Sequence, residues 1–278
     1  MRSSAPFLYG GSSMNLEKQS VGLKAVTALT FILMVTVNGM ANTLPINGLQ
    51  TGQVSDAYPN LFAPAGVTFA IWGLIYLLLA LYTLYQSGLF GEKGESRPGY
   101  KQSLIQKIFV LSSLFNTAWI FAWHYQLIPL SLILITGILV CLILINLELS
   151  HASLSDREKI LVRLPFSVYF GWITVATIAN ATTLLGSLGW GGFGLSESTW
   201  TVIILLVGML IGVATMLRNR SAAYGLVLIW AYGGIWLKHT SEDGFSGQYG
   251  AVNTTVLLCI TIYVASEGYL LFKAKKTV

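Results

Sequence analysis

This sequence has little of what soluble catalysts are built from. Only 10% of its 278 residues are charged, where a soluble domain of this size carries about 25%. It has two cysteines and three histidines. Cys141 and Cys259 lie in the middle of separate apolar stretches and read as small core residues, not as halves of a disulfide. His124, His151 and His239 each stand at the end of an apolar stretch, and none is paired at metal-ligand spacing. Zinc motifs, phosphate-cradling glycine loops, dinucleotide-binding glycine patterns and nucleophile elbows are all missing. Lys and Arg are scarce on every second loop. These absences weigh against an enzyme, a metal centre and a soluble domain.

What is there is hydrophobic. Apolar residues make up 54% of the chain and the mean hydropathy is +0.68. Crossing the hydrocarbon takes about 20 apolar residues. Eight such stretches run near 21–41, 64–87, 103–123, 127–149, 159–184, 199–217, 221–238 and 250–272. The expected fold is therefore all-α, a polytopic transmembrane helix bundle. Of the 16 Lys and Arg residues, all but Lys238 fall on one set of alternate segments. Short basic loops stay on the cytoplasmic side, so both termini are expected inside and the first loop outside. The plasma (inner) membrane of a prokaryote is the expected location. The net charge of +5 follows from the inner-face residues, which suit anionic lipid headgroups; it needs no nucleic-acid partner. The first stretch, with Gly39 and Ala41 at its end, also fits a signal peptide cut after Ala41, but its apolar run is long for one. Residues 1–20 read as a disordered segment, and Met14 as a plausible start.

Two links, around Tyr125 and around Arg218 to Arg220, are tight and call for antiparallel neighbouring helices. The first outer loop, 42–63, is long for a compact bundle. It carries two prolines, two glycines and no basic residue, yet keeps Leu44, Ile46, Leu49, Tyr58, Leu61 and Phe62. A solvated linker would hold fewer apolar residues. Two readings fit: a lid over the outer mouth, or an ordered loop packed on helix ends. The inner loop from Gly88 to Tyr100 reads as a tether.

Aromatic and amide residues supply the chemistry. Asn116, Trp119 and Trp123 share one face of the third stretch; Pro165, Tyr169 and Trp172 share one face of the fifth, with Asn180 on its continuation. Trp190, Trp200, Tyr100 and Tyr125 suit an interfacial belt, whereas Trp72, Trp119 and Tyr169 lie too deep for it. A buried amide such as Asn116 or Asn180 is costly unless it finds a partner. That partner is either another helix, in a bond worth about 1 kcal/mol, or the polar edge of a ligand in an apolar pocket. Pro64 suits the first turn of the second helix.

In these residues the chain resembles the tryptophan-rich sensory protein / translocator protein family (TspO/MBR, including the peripheral benzodiazepine receptor). Three blocks carry the resemblance. They are Pro64, Gly66, Ile71, Trp72 and Tyr76; then Phe115, Asn116, Ala118 and Trp119; then Leu164, Pro165, Phe166 and Trp172. They span residues 21–184, a five-helix core, with residues 185–278 adding three helices and a short basic tail. The chain departs from the family in having one proline and no tryptophan in Leu61-Phe62-Ala63-Pro64, and in placing Tyr169 where the family has tryptophan. The resemblance implies binding of a planar hydrophobic molecule, a porphyrin (haem) or sterol-like compound, under the first loop. On it, the ligand-binding residues are Pro64, Trp72, Tyr76, Asn116, Trp119, Tyr169 and Trp172. The implied partners are a hydrophobic small molecule and membrane lipid, with homo-oligomer formation open.

In the added stretches, Gly208 and Gly212 have the GxxxG spacing that lets helices approach closely. Glu148 and Glu267, near the inner ends of their stretches, read as interfacial anchors. As a pair they keep a secondary transporter as the alternative function.

Overall fold

The computed structural model describes residues 21–44, 46–58, 60–89 and 100–275. Expectations for residues 1–20, for Lys93 and Arg97, and for most of the inner tether lie outside the described residues. Eight long helices carry the fold: α1 Val21–Thr43, α2 Ile71–Ser87, α3 Gln102–His124, α4 Ile128–Ser150, α5 Leu164–Ser187, α6 Glu197–Asn219, α7 Ala222–Thr240 and α8 Gly250–Lys275. Among the described residues the nearest thing to a strand is the isolated bridge between Ile46 and Leu49. Successive helices alternate in direction. The bundle therefore has a face with the first loop, here the first-loop face, and an opposite face where most basic residues sit.

Local chemistry sets the helix ends. Pro129 stands in the first turn of α4, where its missing N–H leaves no bond unmade. Ser196 caps α6 by accepting from Thr199 N at 3.2 Å, and Ser221 caps α7 by accepting from Tyr224 N at 3.4 Å. Before α5, a widened turn over Lys159–Arg163 absorbs Pro165, which cannot continue a regular ladder upstream. Pro64 is not in a helical turn: the second helix opens with a 3-10 turn, Gly66–Ala70, and Pro64 stands before it.

Seven of the eight helices are long and apolar enough to cross a membrane. The exception, α7, corrects the expectation of eight apolar spans. It has 19 residues, about 28 Å at 1.5 Å per residue, but Lys238, His239, two tyrosines and three glycines dilute its hydropathy. It nevertheless runs the full depth of the bundle. It starts just after Arg220, whose carbonyl Arg163 reaches, and ends where Lys238 meets Asp56 of the first loop at 3.0 Å. Its buried Tyr224, Leu228, Ala231, Tyr232 and Ile235 pack against α5 and α8, which offsets its weaker apolarity.

The α3–α4 link behaves as expected, those helices packing along their lengths, whereas α6 packs more on α8 than on α7 despite the tight link around Arg218 to Arg220. Gly208 and Gly212 do mark a close approach. A Cβ on Gly208 would lie 2.7 Å from the Tyr232 hydroxyl, and one on Gly212 would lie 2.7 Å from that of Tyr263. Those hydroxyls donate to Leu205 O at 2.9 Å and Gly208 O at 3.3 Å. The glycine groove of α6 is thus filled from within the chain. Glu148 does anchor, pairing with Lys101 at 3.9 Å. Glu267 instead is buried, with Oε1 lacking a hydrogen-bond partner among the described residues. Both cysteines are buried and free.

Candidate functional site

Trp72 is the centre of the site. Its i+4 neighbour on α2, Tyr76, stacks on it with ring centres 5.4 Å apart and planes 15° apart. Trp119 of α3 stands 6.4 Å away, and Tyr169 and Trp172 of α5 stand 6.0 and 6.1 Å away in edge-to-face contact. Such geometry matches the ring quadrupoles of aromatic groups. Three helices thus converge on one indole, and five of the seven residues named from the sequence form a single cluster.

Asn116 sits behind that cluster, fully buried. Its Oδ1 accepts from Asn38 Nδ2 at 2.7 Å, and its Nδ2 donates to the Tyr169 hydroxyl at 2.9 Å. It therefore ties α1, α3 and α5 together, an interhelical role. Asn180 is placed differently. Its Oδ1 accepts from Ser131 at 3.0 Å, while its Nδ2 finds no partner among the described residues.

A cavity of about 40 Å³ lies beside the cluster. Pro64, Trp72, Trp119 and Trp172 line it, together with Phe69, Trp123 and Asn180. Tyr76, Asn116 and Tyr169 stand outside this lining. Three lining N–H groups, Trp119 Nε1, Trp172 Nε1 and Asn180 Nδ2, lack partners among the described residues. All three are donors. The sequence signalled Trp123 and Asn180 through the helix faces they share with Trp119 and Tyr169; nothing in it singled out Phe69.

The first loop covers this end of the bundle. Its short helix Thr51–Asp56 is held by the α3–α4 turn. Trp123 Nε1 donates to Thr51 O at 3.1 Å, and the His124 ring bridges Thr51 Oγ1 at 3.1 Å and Ile46 O at 3.2 Å. A carbonyl can only accept, so Nδ1 donates to Ile46 O. From α7, His239 Nε2 donates to Leu61 O at 2.7 Å. Ala65 N donates to Gly234 O at 2.9 Å, and Trp230 Nε1 donates to Thr68 O at 2.9 Å. The lead-in to α2 is therefore clamped between the core and α7.

A larger cavity, about 440 Å³, opens on the same face between the ends of α5 and α6. Trp190 and Trp200, assigned from the sequence to an interfacial belt, form part of its wall.

Apolar helices of crossing length, a buried aromatic cluster and a loop folded over it define an integral membrane helix bundle. The chain belongs to the TSPO-like protein family, whose model matches residues 24–269. That match runs through α6–α8 as well as through the five-helix core. Searches of curated proteins and of solved structures found no match.

Proposed function

We propose that this protein binds a planar hydrophobic molecule, porphyrin-like or sterol-like, in the aromatic cluster around Trp72, as a sensor, receptor or carrier. The observation that supports this most is that three residues lining one aromatic-walled cavity carry buried, unpartnered N–H donors. A ligand with an acceptor edge, a carbonyl or carboxylate, satisfies them, while its ring stacks on indole. Drug-sized ligands need about 300 Å³ or more, against the 40 Å³ present. Binding therefore requires the first loop and the Pro64 lead-in to move outward, which makes the loop a lid. In this reading the lid faces outside and the basic face lies in the cytoplasm.

A porphyrin titration of the purified protein, followed by tryptophan quenching and the Soret band, tests this. Trp72→Ala weakens binding at least about tenfold through lost stacking and packing. Trp236→Ala, on an exposed part of α7, leaves it unchanged. Equal effects of the two changes, or no saturable binding, would sink the assignment.

A further inference from the structure

The 440 Å³ cavity between the ends of α5 and α6 has its own chemistry. Leu61, Phe62, Leu185 and Ile204 give it an apolar wall. Trp190 and Trp200 stand there with ring centres 4.9 Å apart. Trp200 Nε1 donates to Gly192 O at 2.5 Å, so that indole edge is used and its face remains. The Asn60 amide is also engaged: Oδ1 accepts from Phe62 N and Thr182 Oγ1, and Nδ2 donates to Tyr58 O. Glu197, exposed at the mouth, is the one charged side chain in the lining, and no Lys or Arg lines the cavity.

Lys238, a cation of the same face, is bound to Asp56 at 3.0 Å and is not free to neutralise Glu197. An anion meets repulsion here, and a neutral apolar ligand makes no use of the carboxylate. A cation on a hydrophobic body uses every wall: the carboxylate as counter-ion, the indole faces through cation–π attraction, and the aliphatic side chains for its apolar part. A volume of this size suits a small drug-sized molecule.

We propose that this cavity is a second ligand site, for a lipophilic organic cation such as an amine or quaternary ammonium. The charged head lies between Glu197 and the faces of Trp190 and Trp200. No residue of this lining is shared with the cavity beside Trp72, but Asn60, Leu61 and Phe62 belong to the first loop, so the cation is titrated with no planar ligand present.

The test is calorimetric titration of the full chain in detergent with benzyltrimethylammonium and with its uncharged carbon isostere, neopentylbenzene. Saturable binding of the cation alone is expected. Glu197→Gln, which keeps the side-chain shape and the Ser196 cap, weakens it about five- to tenfold. Trp190→Phe keeps an aromatic face and retains most of the affinity; Trp190→Leu loses it. Thermal melting and gel filtration of each variant separate loss of binding from loss of fold. Equal binding of the neutral isostere, an unchanged Glu197→Gln, or equal affinities for Trp190→Phe and Trp190→Leu would each overturn the proposal.

Discussion

Asn116 shows how a single side chain can be legible as important and illegible as to why. A fully buried amide in an apolar helix must be satisfied by something, and the sequence says no more than that. The answer depends on Asn38 of α1, which carries no pattern that would pair it with a residue 78 positions away. With both amide ends of Asn116 engaged, Asn116→Ala should lower stability by about 1–2 kcal/mol, read as a lower melting temperature in detergent. The Asn38→Ala and Asn116→Ala losses should not add, because each removes the same bond. Strictly additive losses in a double-mutant cycle would mean that the two amides do not share it. Asn180 was equally visible in the sequence. Its free N–H became meaningful only once the fold set it beside two indoles with unpartnered N–H groups of their own.

At the scale of elements, the adjacent glycines of α7 give a sharper test. A Cβ on Gly234 would collide with the Thr68 side chain, while one on Gly233 would meet nothing within 4 Å. Gly234 is what lets α7 touch the 3-10 turn ahead of α2. Gly234→Ala should therefore cost about 1–3 kcal/mol through overpacking. Gly233→Ala, in the same helix, should be neutral or stabilising by up to about 1 kcal/mol. Thermal unfolding of the two variants decides it, and equal behaviour would refute the close contact. The number and order of the helices were readable because an apolar stretch of about 20 residues leaves few alternatives. Which faces meet was not, because hydropathy reports distance from water and not the identity of a neighbour. The weaker apolarity of α7 was itself readable, since Lys238, His239, two tyrosines and three glycines stand in its sequence; the contacts that offset it were not.

For the molecule as a whole, the charge pattern predicts an orientation that chemistry can check. The two buried native thiols should react slowly, so single new cysteines can report on each face. An impermeant maleimide applied to intact cells should label Gln248→Cys on the first-loop face and spare Ser153→Cys on the basic face. The reverse pattern would invert the topology. The bonds that hold the first loop also bear on how the protein is made. Leu61 leaves the ribosome 178 residues before His239, and Asp56 leaves it 182 residues before Lys238. At roughly 5–20 residues per second, Leu61 and Asp56 wait roughly ten to thirty-five seconds for α7, whereas Thr51 meets Trp123 of α3 after only 72 residues. On the proposed reading, a hydrophobic molecule that arrives in that interval meets a first loop tied at one end only, and synthesis offers a loading window that α7 closes.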